Sequence, residues 1–269
     1  MVSSERPIGI FDSGVGGLTV VRAVRELMPQ ENLIYFGDTA RSPFGPRDLD
    51  EIRRFAFEIM DFMVSCDVKM LVMACNTMAS ASYEEAKERY EVPIIGVIEP
   101  GVRAGAMATR NGKVGVLGTR ATISSGQYQR AFEASGHDVQ VHTQICPVFV
   151  ERVEAGDTFS EELISVAENY LQPLMQADVD TLVLGCTHYP LLRGVLHWVT
   201  KGEVVLISSA EEVAKDVYSA LVEADLVRKT KELGSLRFIV SGDPEQFRRV
   251  GSRFLGGLDE VEGRPWPSK

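Results

Sequence analysis

The sequence predicts an α/β protein of two pseudo-symmetric domains, each a mainly parallel sheet flanked by helices, with the active site in the cleft between them. Three observations predict this. Short apolar, β-branched runs alternate with longer stretches of helical periodicity, the pattern of a parallel sheet covered by helices. The runs fall into two series that share motifs in the same order. The residues leaving the matched runs carry thiol, hydroxyl, amide and carboxylate groups, while most of the intervening chain is unremarkable surface and core.

Strands are expected at Ile8–Phe11, Leu33–Phe36, Met70–Met73 and Ile94–Val97, then at Val114–Leu117, Val139–Gln144, Thr181–Leu184 and Val204–Ile207, with a ninth at Leu236–Val240. Helical spacing links Leu18, Val21, Val24 and Met28. It also links Ile52, Phe55, Phe62 and Met63, and later Leu163, Val166, Ala167, Tyr170, Leu171 and Leu174.

The duplication rests on three matched motifs. Leu71–Thr77 (LVMACNT) reads against Leu182–His188 (LVLGCTH). A Gly-containing turn closes the first strand of each series, at Asp12-Ser13-Gly14 and at Gly118-Thr119. A further apolar strand follows each cysteine motif. One match could be chance; three in order indicate an internal repeat. The first domain is assigned residues 1–98 plus 208–269 and the second 99–207, the boundary falling near Glu99-Pro100-Gly101. The return of the last helix and strand to the first unit rests on symmetry alone. The tail Asp259–Lys269, with Pro265 and Pro267, is expected to be loosely ordered.

Composition narrows the function. A chain of 269 residues, 45% hydrophobic and 25% charged, can bury a real core. Its net charge of −10 argues against nucleic acid as a partner, because phosphate backbones need basic surface. It does not argue against small anions, which respond to local fields. The apolar runs are strand-sized, too short for a bilayer, and Met1–Pro7 lacks a signal core. Cys66, Cys75, Cys146 and Cys186 form no CxxC pair, so a reduced, cytoplasmic protein is expected.

Ligands of open parallel sheets bind beyond the carboxyl ends of the strands. Cys75 and Cys186 stand there, at equivalent places in the two series. Buried packing, the ordinary role of a small hydrophobe, suits Cys66 and Cys146 but explains neither the matched positions of the other two nor the polar residues after them. Facing units would bring the two thiols into one cleft, an arrangement suited to moving a proton off carbon on one face and onto it from the other. A thiolate is needed first, and free cysteine titrates near 8.5, so neighbours must help. Asp12 on one side and His188 on the other are the candidates; His188 could instead cap the turn at Tyr189-Pro190, but its closeness to Cys186 in sequence favours assistance. The turn Asp12–Gly17 opens a helix and could hold an anion, or could be a tight turn needing glycine for positive φ. A zinc site on Cys75, Cys186 and His188 is short of ligands. Pyridoxal phosphate would need a lysine, and Lys69, Lys113 and Lys201 precede strands at the wrong sheet edge. No cofactor and no metal are expected.

At these residues the chain resembles the glutamate racemase family. The resemblance covers almost the whole length: Asp12–Gly17 (DSGVGG), Tyr35–Gly45 (YFGDTARSPFG), Ala74–Thr77 (ACNT) and Gly185–Leu192 (GCTHYPLL). It implies cofactor-free interconversion of L- and D-glutamate for peptidoglycan, with Cys75 and Cys186 as the acid/base pair and Asp12, Glu154 and His188 assisting. Glu154 enters only through the resemblance; by pattern it reads as a surface helix end. Substrate contacts are implied for Asp12, Ser13, Pro43, Phe44, Gly45, Asn76, Thr77, Thr119, Thr122, Thr187 and His188. Small-molecule glutamate is the implied partner, with no nucleic acid and no membrane, and a homodimer is an admissible assembly. Phe44 departs from the family's usual tyrosine and removes a hydroxyl. The rival readings are a racemase of aspartate or another small acid, and a non-catalytic binder of small acids, which would not need matched thiols.

Overall fold

The computed structural model describes residues 3–266. The chain runs β1 (Ile8–Asp12), α1 (Leu18–Leu27), β2 (Leu33–Gly37), α2 (Leu49–Ser65), β3 (Met70–Met73), α3 (Asn76–Arg89), β4 (Ile94–Gly96) and α4 (Ile98–Ala108). It continues through β5 (Lys113–Gly118), α5 (Arg120–Ser124), α6 (Gln127–Ala134), β6 (Gln140–Ile145), α7 (Val148–Ala155), α8 (Glu161–Gln176) and β7 (Thr181–Gly185). After a 3-10 turn at Tyr189–Leu192 come α9 (Arg193–Val199), β8 (Val205–Ile207), α10 (Ser209–Glu223), β9 (Leu236–Val240), α11 (Pro244–Leu255) and β10 (Val261–Gly263).

The strands form two sheets, ordered β10-β9-β2-β1-β3-β4 and β6-β5-β7-β8, and every pairing is parallel. The order β2-β1-β3-β4 recurs as β6-β5-β7-β8. Strands β1, β2, β3 and β7 are buried along their whole length. Sheets covered on both faces need such continuous apolar runs, and this made the strands legible. Several helices start where a side chain satisfies a free N–H: Thr119 accepts from Thr122 N at α5, Ser160 from Leu163 N at α8, and Asp243 from Glu245 N at α11. Among the described residues no helix is long and apolar enough to cross a membrane.

Glu99-Pro100-Gly101 lies in the first turn of α4, so the chain passes between the sheets on a helix; proline is tolerated there because that N–H has no intrahelical partner. Two expectations are corrected. The tail is ordered through Trp266: β10 pairs with β9, and the Trp266 indole donates to Asp38 Oδ1 at 2.8 Å. Pro267 to Lys269 lie outside the described residues. Finally, Gly14, Gly16 and Gly17 do not have positive φ. Gly16 and Gly17 permit close approach instead. A Cβ on Gly16 would strike Thr187 and the His188 ring, and one on Gly17 would lie 2.6 Å from Asp12 Cβ. The turn is bare so that the loop after β7 can press against it.

Candidate active site

In each sheet the chain reverses its direction of strand addition between the first and third strands of the repeat. Such a switch point opens a crevice at the carboxyl ends. Asp12 and Cys75 end or follow β1 and β3; Thr119 and Cys186 follow β5 and β7. The two crevices meet in one cavity of about 200 Å³.

From the first sheet come Ser13, the segment Ser42–Pro46, Cys75, Asn76 and Thr77. From the second come Thr119, Arg120, Cys186, Thr187 and His188, closed by Pro147, Val150 and Glu151 at the entry to α7. Both thiols are nearly buried, at 5% and 7% exposure.

The surroundings of the two sulfurs differ. Cys75 precedes α3, and its Sγ lies 3.6 Å from Ser13 Oγ. Burial, reinforced by the Asp12 carboxylate, pushes the Cys75 thiol up to about 12, while the Met78 N–H and Ser13 hydroxyl pull the other way. Cys186 Sγ lies 3.9 Å from His188 Nδ1, and His188 Nε2 is 3.0 Å from Glu154 Oε1. Burial disfavours the imidazolium. The hydrogen bonds to Cys186 and Glu154, with the negative charges of Cys186 and Asp12, outweigh it and hold His188 up at about 10. One thiol therefore has a cation beside it and the other does not.

Asp12 is fully buried and does not line the cavity. Its Oδ1 accepts from Gly14 N at 2.8 Å and its Oδ2 from Thr187 Oγ1 at 3.2 Å. Burial raises its pKa, partly offset by the His188 charge and these donors. Thr77, Thr119 and Thr122 form a closed triangle of hydroxyls at 2.9, 3.0 and 3.2 Å. Thr122 stands behind the other two, fully buried and off the cavity wall. Tyr128 OH donates to Asn76 Oδ1 at 2.7 Å and so fixes the amide, leaving Nδ2 buried without a partner. A buried donor in a cavity wall is costly unless a ligand accepts from it.

Of the residues singled out from sequence, Ser13, Pro43, Phe44, Gly45, Cys75, Asn76, Thr77, Thr119, Cys186, Thr187 and His188 share the cavity, whereas Asp12, Thr122 and Glu154 stand behind its wall. Phe44 packs on Phe55 with ring centroids 5.5 Å apart and is 1% exposed. Sequence reasoning missed Arg120, Val150 and Glu151. Arg120 follows a strand-end motif by one residue, and α7 follows the exit of β6, so both sat where the strand-end rule points. Among the described residues no cluster of three His, Cys, Asp or Glu side chains could hold a metal.

Residues 18–217 match the Asp/Glu/Hydantoin racemase family. The chain is 51% identical to a glutamate racemase from Beutenbergia cavernae, over 96% of this chain and 92% of that one. Its structure resembles a glutamate racemase from Bacillus anthracis, with TM-score 0.93 and 38% identity over 99% of this chain and 100% of that one. It also resembles the Francisella tularensis glutamate racemase in complex with D-glutamate, with TM-score 0.91 and 34% identity over 97% and 98% of the two chains. The chain belongs to the glutamate racemases of the Asp/Glu/hydantoin racemase family and is an isomerase.

Proposed function

We propose that this protein interconverts L- and D-glutamate by two-base proton transfer at Cα between Cys75 and Cys186, and that it supplies D-glutamate for peptidoglycan. The single observation that carries the mechanism is that two thiols, following equivalent strands of two different sheets, line one small cavity. The reading is also supported by the glutamate racemase named in complex with D-glutamate among its structural relatives.

In this mechanism a thiolate removes the Cα proton from one face. The electron pair is held in the adjoining carboxylate as a planar anion. The opposite thiol then protonates Cα from the other face, so the two sulfurs exchange roles and the proton count is unchanged. His188 gives Cys186 a cationic neighbour, as a starting thiolate needs. Cys75 begins as the thiol. When Cys75 must act as the base for the reverse direction, the substrate ammonium brings the missing positive charge beside it, against Asp12.

The substrate carboxylates need donors. Asn76 Nδ2 is unpartnered, Ser13, Thr77, Thr119 and Thr187 line the same wall, and α3 opens with its first N–H groups at the cavity. Preorganised donors aimed at a developing carboxylate-centred anion are among the larger contributions to catalysis. Asp12, Glu154 and Thr122 take supporting parts in this reading, holding Thr187, His188 and the hydroxyl triangle in place.

The test is exchange in heavy water. Purified, reduced protein with D- or L-glutamate and no added cofactor should place deuterium at Cα while interconverting the enantiomers. Cys75→Ala and Cys186→Ala should each abolish interconversion with folding intact, and Cys66→Ala should leave it unchanged. No deuterium incorporation by the wild-type protein would sink the reading.

A further inference from the structure

The segment Ser42–Pro46 supplies five consecutive residues to the cavity wall, yet it belongs to no helix or strand. Irregular chain of this kind keeps one conformation only if something outside it fixes its ends. On the cavity side, Gly45 O accepts from Ala121 N at 3.0 Å. On the other side the anchor is Arg41. Its Nε bonds Asp38 Oδ2 at 2.6 Å, its guanidinium pairs with Glu58, and its carbonyl accepts from Arg47 Nη2 at 2.7 Å. Arg47 Nε in turn donates to Pro43 O at 3.2 Å.

Arg41 is itself held by the end of the chain. Its guanidinium lies between two rings, 3.9 Å from the Phe55 centroid and 4.2 Å from that of Trp266. Trp266 Nε1 donates at 2.8 Å to Asp38 Oδ1, an atom that also accepts from Ser241 Oγ at 2.7 Å. Asp38 is fully buried. The same Phe55 ring packs against Phe44 in the cavity wall. Trp266 thus closes a box whose opposite side is the cavity-lining segment. The tail reaches this place because β10 adds to β9 and Arg264 N bonds Val240 O at 2.7 Å.

We propose that Trp266 is a positioning residue for racemisation: by stacking on Arg41 and bonding Asp38 it holds Ser42–Pro46 in the conformation that walls the cavity, so the C-terminal tail sets substrate affinity. This rests on the reading of the cavity as the glutamate site. Trp266 does not line the cavity, so its loss does not alter the reacting groups. It lowers the fraction of molecules whose loop is already in place, and apparent affinity falls by that fraction. Losing the ring also exposes one face of the guanidinium to water and removes a cation–π contact.

The experiment compares W266A and W266F with the wild type, by steady-state kinetics in both directions and by amide hydrogen exchange without substrate. W266A should raise KM for glutamate about tenfold with kcat within about twofold, and should lose protection at residues 39–47 while β1 and β3 keep theirs. W266F keeps a ring over Arg41 and loses only the indole donor, so its KM should rise about two- to threefold. A folded W266A with wild-type KM, with unchanged exchange at residues 39–47, or with a fallen kcat at unchanged KM overturns the proposal. The exchange arm needs no substrate. A wild-type protein that failed to turn over glutamate would therefore refute the substrate reading, while the exchange result still decided for or against the latch.

Discussion

Thr187, the residue after Cys186, donates a hydrogen bond to Asp12, the last residue of β1, across 3.2 Å and between the two sheets. The symmetry of the sequence assigns Asp12 to the Cys75 side alone. In the structure its carboxylate is wired to both sides. One oxygen is held by the glycine turn and the other by the loop that carries Cys186 and His188. Gly16 has no side chain because that loop occupies the space where one would go. The asymmetry between the two thiols is built on a shared carboxylate.

Asp12→Asn should separate stability from activity. Burial raises the Asp12 pKa, so its ionised form costs stability at neutral pH; that cost is absent below the unfolded carboxylate range and grows as pH rises above it. Asparagine keeps an oxygen for Gly14 N and offers an N–H to Thr187 Oγ1. At pH 7 the variant should melt at the wild-type temperature or up to about 4 °C above it. Racemisation should fall about 100-fold or more, the range for losing a charged assistant of proton transfer. Calorimetry and circular dichroism of glutamate check the two arms. A melting temperature several degrees lower would show that Asp12 is a structural anchor first.

Much of this was legible because buried parallel strands are plain in sequence. Met70–Met73 and Leu236–Val240 are the strands expected, and the other seven differ by a residue or so at an end. The cysteine pair was legible because the repeat places Cys75 and Cys186 alike. What stayed hidden depends on contacts distant in the chain. Asp12 and Thr187 are 175 residues apart, and Asp38 and Trp266 are 228 apart. Strand β10 has no apolar run to announce it: Val261-Glu262-Gly263 is a short edge strand held by one neighbour. Thr122 was expected among the substrate contacts only through the family resemblance, alongside Thr119. The helix that Thr119 caps turns Thr122 inward, where its hydroxyl can reach only other hydroxyls.

Glu154→Gln should move the alkaline limit of activity downward. The Glu154 carboxylate is one of the groups that hold His188 up at about 10, and a neutral amide favours the imidazolium less. Titration of the His188 ring by NMR should show loss of the proton at lower pH in the variant. If the imidazolium serves the Cys186 thiolate, the alkaline arm of kcat/KM should shift with it. Stability follows the same sign. A raised folded-state pKa contributes stability that is full below the unfolded value of 6.5 and is lost as pH rises through about 10. Over that window wild type should therefore lose more stability than His188→Asn, measured by urea unfolding at stepped pH. Equal losses would mean that His188 is not held protonated by the fold.

Arg120→Ala should weaken glutamate binding without slowing chemistry. Among the described residues, Arg120 and His188 are the only basic ones in the cavity wall, in a protein of net charge −10 that must admit an anion. His188 is committed to Cys186 and Glu154. Arg120 opens α5, is exposed, and makes no ion pair among the described residues. A lone exposed cation at the edge of a cavity raises the local concentration of anions and guides their entry. It is a solvated group, so its effect should be screened as the Debye length shrinks from about 30 Å at 0.01 M salt to about 10 Å at 0.1 M. KM should rise about three- to tenfold at low salt with kcat unchanged, and the difference from wild type should narrow as salt is added. Arg120→Glu should do more in the same direction, and Arg120→Lys should restore most of the loss. A fall in kcat that salt does not change would instead mean that the guanidinium bonds the reacting carboxylate directly, and Lys would then fail to rescue it.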